Sequence, residues 1–271
     1  MNVYLTGGIG NQLFQTSLAV RFHFELGAKV TLDCRTLTNR DSAIDFLSLP
    51  EGLSIARGNS HSKTFHRLVS RGLIPNNYTE KEVLSYIQNP NPKTFRDSSN
   101  FYGYFQSDAY FRNNENSVEA LFSNIQILPD AKPYIAIHIR GGDYLLHKKY
   151  YQLQSSYYLS AINEAIHDSD IDIRVYTDDP FHAMKIVSEI DEKTNSKYRF
   201  ALLTAERDPW ITFAGLVNAE TLIVANSTFS WWAGWLASRN GKKVIRPSLY
   251  YSTNHQPINF YPDSWLRIEV V

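Results

Sequence analysis

Cysteine is nearly absent from this 271-residue sequence: Cys34 stands alone, and methionine occurs only twice. A single thiol can neither close an intrachain disulfide nor build a thiolate zinc cluster, so a packed core has to hold the fold, as suits a reducing compartment. Net charge is lacking too. The 27 basic and 27 acidic residues sum to +0, which leaves no basic footprint for nucleic acid or for an anionic membrane surface. No uninterrupted apolar run approaches the roughly 20 residues of a membrane-spanning helix. The first residues read as a strand, not as a basic stretch leading into an apolar core, so no secretory signal is expected and the sequons at Asn77 and Asn226 carry no weight. What is present is 43% hydrophobic against 20% charged residues, at a length sufficient for one large domain or two medium ones. Aromatics reach 14%, with 17 Tyr and 5 Trp, which suits a ring-rich core or a cleft that stacks sugars.

The chain opens with a strand (2–5), a glycine turn (Gly7-Gly8-Ile9-Gly10), an amphipathic helix (11–26) closed by Gly27, and a second strand (29–33). Such a βαβ unit predicts parallel pairing. Across 35–116, Asn, Pro and Ser interrupt every period, and the stretch reads as long loops and short helices, one of them at 80–88. A linker is expected at 128–133, dividing the chain into domains 1–130 and 131–271. Strands and helices then alternate: strand 134–139, helix 155–167, strand 173–177, helix 180–190, strand 199–203, helix 209–219, strand 221–225, helix 230–238 and strand 243–246. The strands are short and nearly all apolar, as strands buried on both faces are. They predict a doubly wound sheet whose ligands bind beyond the carboxyl ends of its strands.

Polar clusters fall at those ends. His138, Arg140 and Asp143 follow the first strand of the second half in the run HIRGGDY; Thr177, Asp178 and Asp179 follow the next; Asn226 to Ser230 follow the fourth and open a helix. An arginine at a strand end can hold a phosphate, since its planar fork donates two parallel hydrogen bonds and keeps its charge. The bland alternative is a salt bridge from Arg140 to Asp143. For Asp178 and Asp179 the alternative is a capped helix start before Pro180. Hydroxyl residues at a helix start leave backbone N–H groups to meet a pyrophosphate, or act as an ordinary N-cap with Trp231, Trp232 and Trp235 in the core.

Two further motifs are weaker. GGIGNQLFQ at 7–15 has Leu13 where a dinucleotide fingerprint needs its third glycine, and Gly10 with Asn11 is instead expected to let a strand–helix turn approach a ligand. Asp168-Ser169-Asp170 and Asp170-Ile171-Asp172 resemble metal-holding DxD pairs, but they precede a strand, at the wrong edge of the sheet.

Taken together, GGIGNQLFQ, GYFQSDAYF (103–111), HIRGGDY (138–144), VYTDDP (175–180) and ANSTFSWWAGWLA (225–237) resemble, in order, the motifs of glycosyltransferase family 11, the α-1,2-fucosyltransferases. The resemblance implies an α/β, B-type glycosyltransferase fold with two Rossmann-like domains facing a central cleft. The first would be the acceptor side and the second would hold the nucleotide sugar. It implies metal-independent, inverting transfer of L-fucose from GDP-β-L-fucose, a co-substrate with no added cofactor, to the 2-hydroxyl of a galactoside acceptor, including a lipid-linked one. His138 is then a nucleotide contact and Arg140 the residue neutralising the β-phosphate. Ser227, Thr228, Phe229 and Ser230 support the diphosphate, Asp178 recognises guanine or ribose, and Gly10 and Asn11 complete the donor set. Asp143 is the first candidate for the base and His147 the second. Another GDP-sugar is the nearest alternative donor. An oxidoreductase or a noncatalytic binder is further off. The expected place is the cytoplasm, peripherally at the inner membrane face. The family pattern HxRRGD has a second arginine where this chain has Gly141, so one cationic contact is absent.

Overall fold

The computed structural model describes residues 1–37, 41–58, 63–71, 73–91, 93–126, 132–166, 171–204, 208–253, 256 and 259–270. The chain divides into two compact units, Met1–Ile125 and Gln126–Val271. The region expected as a linker lies largely outside the described residues, as do Asp168, Ser169 and Asp170 of the acidic run. Asp172 of that run opens a strand at its amino end.

The first unit contains β1 (Asn2–Tyr4), α1 (Ile9–Leu26), β2 (Val30–Asp33), β3 (Leu53–Ala56), α2 (Lys63–Ser70), β4 (Asn77–Tyr78), α3 (Glu80–Gln88), β5 (Asn100–Phe101) and α4 (Glu115–Glu119). Its sheet runs β3-β2-β1-β5-β4 with every pairing parallel. The stretch 35–116 therefore supplies three of the five strands, contrary to the loops and short helices expected there. β4 and β5 are two residues long, too short to show alternation, and tertiary pairing alone makes them strands. α3 lies where expected because Thr79 and Glu82 form a reciprocal capping box. α1 ends at Gly27, whose left-handed backbone (φ 60°) turns its N–H back to Phe22 O. Val3, Leu18, Phe22, Leu32, Phe101 and Phe105 pack into this unit's core.

The second unit contains β6 (Tyr134–Ile139), α5 (Asp143–Leu146), α6 (Ser155–Ala165), β7 (Asp172–Thr177), α7 (Pro180–Thr194), β8 (Phe200–Thr204), α8 (Pro209–Asn218), β9 (Thr221–Ile223), α9 (Thr228–Arg239), β10 (Lys243–Pro247) and β11 (Leu266–Ile268). The sheet order is β11-β10-β9-β6-β7-β8, again all parallel. The chain starts at β6, winds outward through β7 and β8, then returns to β9 on the other flank of β6. That reversal is a topological switch point, which parts the loops beyond β6 and β9 and leaves a crevice between them. β6 is buried at every position, as the apolar run Tyr134 to Ile137 demands, and its burial extends to the polar His138. β11 was not expected from the sequence; its three residues are half-exposed at the sheet edge.

Candidate active site

Three polar clusters flank the crevice of the second unit. The β6–β7 register places His138 beside Tyr176 and Ile139 beside Thr177, so the loops after both strands leave the sheet side by side. Arg140 is held from two directions. Its Nη2 donates to Asp143 Oδ1 at 2.7 Å, and its Nη1 lies 2.7 Å from Asp178 Oδ2. The salt bridge to Asp143 thus exists, and Asp178, 37 positions beyond Gly141, adds a second partner. The guanidinium also sits 5.0 Å from the Tyr144 ring, and its buried Nε has no partner among the described residues.

The two glycines of HIRGGDY are pinned by the two aspartates. Gly141 N–H donates to Asp178 Oδ1 (2.9 Å) and Gly142 N–H to Asp179 Oδ2 (3.1 Å). Gly142 adopts φ 53°, ψ −122°, a combination open to glycine alone. At Gly141 the constraint is space: a side-chain carbon would overlap Asp179 Cβ and lie 2.8 Å from its Oδ2. The second arginine of the family pattern is excluded here by the close approach of the β7–α7 turn. Asp179 is also the N-cap of α7, accepting from His182 N–H, and Pro180 follows at the first helical position. The N–H groups of His182 and Gly142 hold its carboxyl below the usual range.

His138 is 3% exposed, and its Nδ1 has no hydrogen-bond partner among the described residues. Burial, reinforced by the neighbouring Arg140, lowers its pKa to about 3, so the imidazole is neutral at physiological pH. Its ring lies 6.0 Å from that of Phe229, which links this cluster to the start of α9. That helix begins at Thr228, two residues earlier than expected, because Ser227 is the N-cap and its Oγ accepts from Phe229 N–H. Ser230 instead turns inward and donates to Ala225 O. Trp231, Trp232 and Trp235 are core. Asn226 fastens the β9–α9 loop by donating to the carbonyls of Tyr151 (2.7 Å) and Tyr250 (2.8 Å).

The remaining candidates are placed differently. Asp143 is exposed apart from its Arg140 contact. His147 ends α5, exposed, and its side chain makes no hydrogen bond among the described residues. Its ring sits 6.4 Å from Tyr150. Gly10 and Asn11 belong to the first turn of α1 in the other unit, where Asn11 Oδ1 accepts from Gln106 Nε2 at 2.7 Å. Sequence reading gave no role to Tyr144. Its ring stacks on Tyr150 (4.0 Å, 12°), its hydroxyl meets that of Tyr250 at 3.4 Å, and burial raises its pKa. The only local signal was its place in the motif.

α-1,2-Colitosyltransferase from Escherichia coli is 24% identical over 292 aligned positions, spanning 98% of this chain and 97% of that protein. The O-antigen biosynthesis glycosyltransferase WbnK of the same organism is 27% identical over 142 positions, 49% of this chain and 44% of that one. Among solved structures, the NodZ α-1,6-fucosyltransferase co-crystallised with GDP superposes with a TM-score of 0.52 at 12% identity, covering 90% of this chain and 93% of that one. A family 9 glycosyl transferase from Veillonella parvula gives 0.50 at 11%, covering 99% and 86%. At such identities the likeness is one of fold, the α/β fold with parallel sheets of B-type glycosyltransferases. The sequence profile of glycosyl transferase family 11 matches residues 60–269, and the chain belongs to that family.

Proposed function

We propose that this protein transfers L-fucose from GDP-β-L-fucose to the 2-hydroxyl of a galactoside acceptor in a surface glycan, with inversion at the anomeric carbon. The observation that carries the reading is Arg140: a partly exposed guanidinium at the switch point of a doubly wound sheet, in the same unit as the α9 N-terminus and coupled to it through His138 and Phe229. In the reaction the acceptor oxygen bonds to the anomeric carbon, the bond from that carbon to the β-phosphate oxygen breaks, and the acceptor proton passes to a base. Charge grows on the departing diphosphate. Arg140 and the amides that open α9 stabilise it where it develops.

Arg140 is engaged by two carboxylates, so the diphosphate has to compete for it. Asp178 is the firmer partner, since Gly141 N–H also holds it, whereas Asp143 is bound to Arg140 alone. The β-phosphate therefore displaces Asp143 from Nη2, and the released carboxylate is placed to take the acceptor proton. His147 is the second candidate for that base. Asp178, so engaged, positions Arg140 as well as serving the guanine or ribose contact that the family resemblance implies. His138, neutral and buried, supports the strand end beneath the nucleotide and adds no charge. The first unit, whose α1 carries Gly10 and Asn11, is the acceptor-side domain in this reading. The cationic guanidinium does the work of a metal ion, and the reaction needs none. We place the enzyme in the cytoplasm at the inner membrane face; no helix among the described residues is long and apolar enough to cross a membrane.

A second donor has a specific observation in its favour, the near full-length likeness to a colitosyltransferase. Calorimetric titration with GDP-sugars, followed by linkage analysis of the product, decides between fucose and colitose. Arg140→Ala should lower turnover by at least about a hundredfold, the usual scale for removing such a donor. A folded variant with near-normal kinetics would overturn the assignment.

A further inference from the structure

Tyr144 closes the HIRGGDY run, yet no step proposed above uses it. Arg140 Cζ lies over its ring, 5.0 Å from the centroid. Tyr150 stacks on the same ring at 4.0 Å and 12°, nearly parallel, and so fills one face. The guanidinium is left the other face, and Tyr144 is sandwiched between a cation and a second ring. The face of an aromatic ring is the negative part of its quadrupole and attracts a cation held over it. Burial raises the pKa of the Tyr144 hydroxyl, so the ring stays neutral at physiological pH.

The sandwich is backed by paired backbone. Tyr150 and Tyr251 form an antiparallel bridge, Tyr151 N–H donates to Tyr250 O (3.2 Å), and Ser252 N–H donates to Lys149 O (2.9 Å). The rings of Tyr250 and Tyr251 lie 5.9 and 5.8 Å from that of Tyr150. The Tyr250 hydroxyl also meets that of Tyr144. Asn226, in the loop that leads to α9, donates to the carbonyls of both Tyr151 and Tyr250. The support for Arg140 and the approach to the α9 N-terminus are therefore fastened to the same two backbone segments.

A third carboxylate could also hold Arg140, but its charge would repel a diphosphate. Asp143 and Asp178 already bring two negative charges to one positive. A neutral ring attracts the guanidinium, adds no net charge and occupies none of its N–H groups. We propose that Tyr144 is a positioning residue, whose ring fixes the plane of the Arg140 guanidinium so that Nη2 stays aimed at the diphosphate once Asp143 is displaced. This rests on the phosphate role given to Arg140 above and deepens it. With the ring in place the side chain is ordered before the nucleotide arrives. Without it Arg140 would hinge on Asp178 alone, and the entropy lost in ordering it would weaken binding.

The test keeps a ring at position 144 and changes its electrons. Tyr144→Phe is compared with its 4-fluoro, 3,5-difluoro and 3,4,5-trifluoro analogues, because each fluorine drains the negative ring face on which a cation–π contact depends. GDP is titrated calorimetrically into each folded, full-length variant. Its dissociation constant should rise stepwise with the number of fluorines and reach roughly three- to tenfold at the trifluoro ring, the scale of ordering one rotamer-rich side chain. In an Arg140→Ala background the same series should be flat, because the cation that senses the ring is gone. A ring that only packs would give the same trend in both backgrounds. A flat series with Arg140 present, or an equal slope with and without it, overturns the proposal. If Arg140→Ala binds GDP as tightly as the wild type, the phosphate role of Arg140 is what fails, and the positioning role falls with it.

Discussion

A methyl group at position 141 would overlap Asp179, which anchors both the glycine loop and the start of α7. Either the loop or the helix start has to move, and overpacking of this kind costs about 1–3 kcal/mol. Gly141→Ala should therefore lower the unfolding free energy measured in urea by that amount, and restoring the family's arginine with Gly141→Arg should reduce turnover instead of adding a phosphate contact. Higher activity in Gly141→Arg, measured with GDP-fucose, would show that the loop accommodates the side chain. His138 supplies a second test at this scale. Its folded pKa of about 3 lies below the ordinary value of 6.5, so the unfolded chain binds the extra proton first. The stability tied to a neutral His138 is complete above about pH 6.5 and is lost as pH falls from there toward 3. His138→Leu should show a shallower loss of melting temperature across that window; an unchanged slope would refute the buried neutral imidazole.

Elements were legible where their own chemistry marks them. Thr79 with Glu82, Asp179 before Pro180, and Gly27 after a helical run are terminal signals made by neighbours in sequence, and all three stand where such residues act. Strands β4 and β5 were not legible, since a two-residue segment has no period to read. The glutamines of GGIGNQLFQ show the same limit. Gln15, fully buried, accepts from Thr6 N–H (2.9 Å) and donates to Gly103 O (2.7 Å), joining the segment after β1 to that after β5. Gln12 similarly accepts from Ala43 N–H and donates to Asp41 O. The motif thus staples loops within the first unit, a role invisible without the residues it reaches. Gln15→Ala should orphan one donor and one acceptor and destabilise the protein by about 2–6 kcal/mol in urea unfolding, at the usual ~1–3 kcal/mol for each buried unsatisfied group. A loss below about 1 kcal/mol would assign those backbone groups other partners.

For the whole molecule the test is chelation. A protein whose charges sum to zero has no surplus cation to attract a diphosphate, so the proposed donor binding has to rest on local groups, for which Arg140 and the start of α9 are our candidates. Turnover after exhaustive treatment with EDTA should stay within about twofold of the untreated enzyme, against the several kcal/mol that a required Lewis acid would supply. A collapse restored by a divalent cation would replace the metal-free reading.

The α/β character of the second unit, its buried parallel strands and the strand-end position of His138, Arg140 and Asp178 follow from hydrophobic runs and helix caps, which are short-range properties. Tertiary structure decided which groups Arg140 meets, why position 141 carries no side chain, and how the segment 250–252 backs the rings of Tyr144 and Tyr150. Each of these depends on backbone segments distant along the chain approaching within a few ångströms. Sheet register and core packing set such distances, and no local pattern encodes them.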